Sequence, residues 1–332
     1  MKKIIIYCIL IQFFISIGCI QEKQWEKISG SMNFETSSRN STILGVNFLN
    51  QRHGWGATYS NLIETYDGGI NWKQLERNMN TSYFFSSFDY IDSSQFWATG
   101  TSYEKKSGLE CGFIMTTSDF GENWQVSIIP HVYMINRALV DSPNIIWAVG
   151  VKKTKSDNYN PIVIQTVNGG NTWVEKYNNP NASLNLTGIN SIGNNNILVI
   201  GNNGVIINSI DAGLNWEQRE SGVNSILLRI RIFNNVIWIV GDNGTLLKSE
   251  DYGQTWIRIG TDTQKGLLDI LMHNEIGWIV GEDGIILRTK NYGKSWEKDI
   301  SNTSSTLTAL SINENSVWAV GENRTVLQVP LD

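Results

Sequence analysis

The chain has 332 residues, 17% of them charged, a formal net charge of -5, and 30 glycines and 13 tryptophans beside only 5 prolines. A single large all-β domain can be this long, and the composition suits many short strands joined by tight turns. An acidic chain with no run of five or more basic residues lacks the electrostatic footprint of a nucleic-acid binder, so that class of partner is set aside.

The N-terminus reads Lys2, Lys3, a nearly unbroken apolar run from Ile4 to Ile17, then Gly18 and Cys19. A basic start, a short apolar segment and a small residue make an export signal rather than a membrane-spanning helix, and no later segment is apolar for long enough to span a bilayer. Cys19 after Gly18 resembles the lipobox of bacterial lipoproteins, with Ser16 where leucine is usual. The resemblance implies removal of residues 1–18, lipidation of Cys19 and an exported protein of residues 19–332 held at a membrane of the cell envelope. Cys8 would leave with the signal and Cys111 would be left alone, so neither a disulfide framework nor a cysteine-based metal site is expected.

An eight-residue segment then recurs six times: TYDGGINW to Trp72, TSDFGENW to Trp124, TVNGGNTW to Trp173, SIDAGLNW to Trp216, SEDYGQTW to Trp256 and TKNYGKSW to Trp296. The shared pattern is Ser/Thr, any residue, Asp/Asn, any residue, Gly, two residues, Trp, which is the Asp-box of BNR-type propellers. Each part has a physical task. The carboxylate or amide (Asp67, Asp119, Asn168, Asp211, Asp251, Asn291) accepts backbone N–H groups in a tight turn. Glycine supplies a backbone conformation that a side chain would forbid, and the indole anchors the returning strand.

A second motif interleaves with the first: Trp55, Trp97, Trp147, Leu198, Trp238, Trp278 and Trp318 each begin a WxxG-like segment, and from Leu198 onward the spacing is 40 residues. One such unit is a four-stranded blade. There are seven of these and six boxes, and after Trp318 the chain ends before a seventh box can occur. The segment Gln24 to Ile28, QWEKI, resembles the strand after a box, so it is expected to pair antiparallel with the last strand near Thr325 to Val329. An all-β, seven-bladed β-propeller closed by its N-terminal strand follows. The stretch from Ser29 to Thr42 has no strand pattern. All 13 tryptophans fall in WxxG, box or closing-strand positions, so sheet packing accounts for them without a carbohydrate groove.

The combination of WxVG, an NG-type turn and the box, as in GNNGVIINSIDAGLNW, GDNGTLLKSEDYGQTW and GEDGIILRTKNYGKSW, is similar to the photosystem II stability/assembly factor family and its bacterial relatives. That resemblance covers nearly all of the mature chain. It implies an extracytoplasmic factor that binds partner proteins, not an enzyme and without a cofactor. Sialidases and some endoglucanases also carry Asp-boxes, so a glycan-binding or glycoside-hydrolysing protein is the alternative.

The residue types and spacings show no recognisable catalytic constellation. Arg137, Arg229 and Arg231 lie near the starts of innermost strands, but Arg229 and Arg231 share a blade and make an unconvincing sialidase triad. Asp269 should face the axis and Asp89 and Asp141 lie near first strands, without forming a recognisable glycosidase pair. His53, His131 and His273 sit at different repeat positions, so no metal site is expected. GNNG, GDNG and GEDG read as hairpin turns rather than phosphate or calcium loops.

Blades 2 and 3 are lengthened at one place, by TSYEKKSGLECG and VKKTKSDNYNP. Both insertions should project from the face opposite the boxes, and insertions on a repeat scaffold commonly carry its specificity. Lys105, Lys106, Lys152 and Lys153, with Arg137, Arg229 and Arg231 at the entrances of the inner strands, are therefore expected to bind a protein partner of acidic character.

Overall fold

Each repeat folds as a four-stranded antiparallel sheet, and seven such sheets make the blades of a propeller. The computed structural model describes residues 24–28, 31–32, 42–75, 81–91, 94–104, 108–154, 158–179, 184–193 and 195–331. Cys19, Lys105 and Lys106 lie outside the described residues.

Blade 5 shows why the sequence folds this way. Its strands Leu227–Phe233, Val236–Gly241, Thr245–Ser249 and Ile257–Arg258 pair in chain order. The second strand, VIWIVG, is apolar almost throughout because both faces of the sheet are covered by neighbouring blades. Trp238, Val240 and Leu246 pack against Leu267, Ile270, Ile279 and Leu287 of blade 6. Between the second and third strands, Asn243 and Gly244 both have positive φ, as do Asn203 with Gly204 and Asp283 with Gly284. Two successive left-handed residues give the hairpin twist that matches the strands, which is what the Asn-Gly and Asp-Gly pairs encode.

The boxes fill the turns between third and fourth strands. In blade 4, Ser209 Oγ donates to Asp211 Oδ1 at 2.8 Å and accepts from Gly213 N at 2.7 Å, while Asn215 N donates to Asp211 Oδ1 at 2.9 Å. The same set recurs around Asp67, Asp119 and Asp251, and with an amide oxygen around Asn168 and Asn291. Donation by the Asn215 backbone and side chain lowers the Asp211 pKa to about 2, and the Thr255 hydroxyl and backbone lower Asp251 to about 2. A depressed carboxyl stabilises the fold above its unfolded value, about 3.9. That contribution is lost as pH falls towards 2. A side chain at Gly213 would put its Cβ 2.8 Å from Trp147 of blade 3, so the glycine also permits close blade packing.

Glu26 and Lys27 pair antiparallel with Gln328 and Leu327, and Ile28 N donates to Val326 O at 2.8 Å. The N-terminal strand thus completes blade 7, as expected. Trp25 is 2% exposed and packs with Trp278, Leu271, Leu310 and Leu327, while its Nε1 donates to Asp299 of blade 6 at 3.2 Å. The tryptophans are buried or half-buried throughout, in line with a packing role.

One expectation is corrected. Within the stretch read as lacking a strand, Ser31–Met32 pairs in parallel with Asn71–Trp72 and gives blade 1 a fifth strand. An outer edge offers unpaired backbone groups, and a two-residue addition to it needs no apolar alternation.

Replacing Trp25 with alanine is expected to cost about 3–5 kcal/mol, as for other large core truncations. Urea unfolding measures this, and a loss below about 1 kcal/mol would mean that the closing strand does not hold the ring.

Candidate functional site

The innermost strands line the axis, and only their inward side chains can fill it. Strand alternation turns residues two apart to the same side. Arg229 and Arg231 both face the axis for this reason, and Arg229 stands opposite Val240 just as Asp269 stands opposite Val280 and Arg137 opposite Val149. Equivalent repeat positions of blades 3, 5 and 6 therefore bring two guanidinium groups and a carboxylate to one level.

These side chains form one network across the ring. Asp89, on the inner strand of blade 2, accepts Arg229 at 3.0 Å, Arg231 at 3.0 Å and Arg137 at 3.4 Å. Asp269 accepts Arg229 Nε at 3.0 Å and Arg231 Nε at 3.4 Å, and takes the backbone N–H groups of Ile270 and Leu310 at 3.0 Å each. Arg137 also donates to Thr187 O of blade 4 at 3.4 Å. Beside them the Tyr90 side chain is hydrogen-bonded with Ser311 of blade 7, whose Oγ accepts Phe48 N of blade 1 at 3.2 Å. Every blade contributes at least one contact.

Three guanidinium ions face two carboxylates, so the cluster carries one net positive charge, with Arg229, Asp89 and Asp269 buried and Arg137 and Arg231 half-buried. Burial alone would raise the Asp89 pKa, but Arg229 and Arg231 outweigh it and hold the carboxyl below its usual range. Burial likewise disfavours a charged Arg231, yet Asp89 and Asp269 raise its pKa further. Tyr90 is pushed up chiefly by burial, against the opposing pull of Arg231.

This arrangement corrects the sequence reading at two points. Arg137, Arg229 and Arg231, read as an unconvincing triad because two of them share a blade, do converge; alternation along one strand suffices to bring Arg229 and Arg231 together. They also lie mid-strand, bound to Asp89 and Asp269, instead of standing at the strand entrances. Asp141, by contrast, begins an exposed turn after the inner strand of blade 3. The missed signal was LLRIRIF, in which charges alternate with apolar residues along an innermost strand.

The face opposite the boxes has a different character. Lys152 pairs with Glu175 at 2.8 Å, and Lys153 is exposed beside the Tyr133 and Tyr159 rings, which lie 5.0 Å apart. Across the axis on the same face, burial and then the neighbouring Glu282 raise the Asp242 pKa. The charge of this face is thus graded, basic at blade 3 and acidic at blades 5 and 6.

The histidines are dispersed. His53 Nε2 lies 2.8 Å from Glu64 and stacks on Tyr66, His131 occupies a tight turn with φ of 67°, and His273 ends the inner strand of blade 6. No group of three or more His, Cys, Asp or Glu side chains positioned for a metal occurs among the described residues. A cleft of about 460 Å³ between blades 2 and 3 is lined by Trp97, Trp124, Ile146 and Asp119. Its carboxylate is tied into its own box by Asn123 and Thr117.

These features define an Asp-box β-propeller of seven blades whose axis is closed by an ion-paired network. The family model described as photosynthesis system II assembly factor YCF48 matches residues 19–185, 179–267 and 215–309, and the chain belongs to that family. None of the curated proteins matches it in sequence. Among solved structures, YCF48 bound to D1 peptide is similar at a TM-score of 0.66 and 16% identity, over 93% of this chain and 97% of that one. YCF48 from Cyanidioschyzon merolae gives 0.65 and 16% over 92% and 98%. The Niastella koreensis GH74 enzyme gives 0.65 and 12% identity; 91% of this chain is covered, but only 53% of the enzyme. At these identities the structural likeness concerns the fold.

Removing one member of the axial network while leaving the others buried should be expensive. Asp269→Ala is expected to cost about 3–5 kcal/mol, because the buried Arg229 loses a carboxylate partner and Arg231 loses one of its two. Denaturant titration at neutral pH reads this directly, and a change below about 1 kcal/mol would show that solvent already compensates the arginines.

Proposed function

We propose that this chain is an exported, lipid-anchored assembly factor that binds a protein partner and catalyses no reaction. The observation that carries the reading is the family match across residues 19–309, together with a structural relative solved with a bound peptide. The chemistry of the axis supports it. Glycoside hydrolysis needs a carboxylic acid kept protonated near neutral pH beside a second carboxylate. Asp89 is held in the opposite state by two arginines.

The partner surface we assign is the face of the inserted hairpins. Lys105, Lys106, Lys152 and Lys153 offer charge-assisted contacts to an acidic segment there, while Arg137, Arg229 and Arg231 contribute positive potential from below. Exposed pairs contribute about 0–1 kcal/mol each, so the effect is cumulative. Electrostatic complementarity of this kind sets specificity and encounter rate more than affinity.

Reversing the four lysines to glutamate is expected to reduce crosslinked capture of the partner from native membranes at least tenfold and to flatten its salt dependence, with little change in melting temperature. Unchanged capture would remove the hairpin face from the account. Robust turnover of aryl glycosides by the parent protein would instead favour the GH74-like reading.

Anchoring is read from Cys19. Cys19→Ser is expected to shift the protein from the membrane to the soluble exported fraction on cell fractionation, and persistence in the membrane would contradict a lipid anchor at this position.

A further inference from the structure

The turns that carry the six boxes all lie at one end of the strands, and each presents an apolar side chain to solvent. Tyr66, Phe120, Val167, Leu214, Tyr252 and Tyr292 are between 46 and 76% exposed. Scattered exposed apolar residues are ordinary, but one from every box on a single face is a pattern. Three of them are also held in an unfavourable backbone conformation: Phe120, Tyr252 and Tyr292 have φ of 59°, 62° and 61°. Blades 1 and 3 place Gly68 and Gly169 at this position, with φ of 77° and 67°. Aromatic residues are disfavoured there. Rings left half in solvent return little to the core, so their use points to a role outside it.

The entry of the chain supplies a second, independent observation. Glu26 lies opposite Gln328 and Lys27 opposite Leu327, so the N-terminal strand runs from the Pro330 end of blade 7 towards the opposite face. Gln24 therefore sits at the box end of the propeller. Cys19 precedes Gln24 by five residues, a length of chain that spans at most roughly 17 Å.

We propose that the box face is a membrane-contacting surface, seated on the lipid headgroups, with the inserted hairpins directed away from the bilayer. The short reach from Cys19 rests on the lipid-anchored reading above; the apolar contact does not. Tyrosine is suited to this depth, since its ring enters the apolar margin while its hydroxyl stays hydrated. The box carboxylates remain ionised and bonded to their own turns, as the lowered pKa values of Asp211 and Asp251 require, and the hydrated headgroup layer accommodates them. Their negative charge gives no attraction to anionic lipid, so the surface is matched to zwitterionic headgroups.

The test uses the chain from Cys19 onward, which holds every described residue, as the Cys19→Ser form so that no lipid is attached. Co-sedimentation with phosphatidylcholine vesicles is expected, with little dependence on salt. Phe120→Asn, Tyr252→Asn and Tyr292→Asn combined with Tyr66→Ser, Val167→Ser and Leu214→Ser should lower the partition coefficient at least tenfold. Lys152→Glu with Lys153→Glu should leave it unchanged. The three asparagine substitutions alone suit the left-handed backbone. They should keep the melting temperature while lowering partition at least threefold, which guards against loss of fold in the larger variant. Absence of vesicle binding by the parent, or equal binding by parent and a folded variant, would overturn the proposal. Because no lipid is attached in this assay, such a failure would leave anchoring through Cys19 to be judged by cell fractionation.

Discussion

Seven wedge-shaped sheets make a stable ring only if the last packs against the first, and that closure depends on a few backbone hydrogen bonds between the two ends of the chain. Glu26 and Lys27 complete the sheet of Val326–Pro330, and Trp25 fills the seam between blades 6 and 7. A terminal strand that failed to pair would expose a sheet edge and the apolar sides of two blades together. Closure fixes the number of inner strands, and the number of inner strands fixes the bore that side chains must fill.

The bore is filled by ions rather than by aliphatic side chains. Burying charges is costly unless each is paired and hydrogen-bonded. Here Asp89 takes three arginines from two other blades, and Asp269 adds two backbone N–H groups. The arrangement ties opposite sides of the ring, since Asp89 and Arg231 are 142 residues apart in sequence. Both axial carboxylates, Asp89 and Asp269, are engaged by Arg229 and Arg231. The two outer faces differ in character, one bearing lengthened, charged hairpins and the other bearing boxes tipped with apolar side chains.

Much of this was legible in the sequence, for physical reasons. Repeats that encode a turn, a buried strand and an anchoring indole leave the same residues at the same spacing, so blade count and closing strand follow from the seven WxxG-like segments set against TYDGGINW and its five relatives. The hairpin pairs Asn243-Gly244 and Asp283-Gly284 declare their backbone conformation directly. The axial network was not legible as a whole, because only part of it follows the repeat: Arg229 and Asp269 each stand nine residues before their tryptophans, but Asp89 stands eight before its own, Arg231 seven and Arg137 ten. Turn lengths between first and second strands differ, and a linear register cannot show which side chains meet across a ring. The Ser31–Met32 strand was equally hidden, being a backbone addition without a side-chain pattern.

The central claim is that the propeller has two functional faces with opposite neighbours. Photo-crosslinking in intact cells tests it most directly, with the reactive side chain placed either at position 153 on the hairpin face or at position 214 on the box face. The account predicts adducts to protein from position 153 and adducts to lipid from position 214. Protein adducts from position 214, with none from position 153, would contradict it.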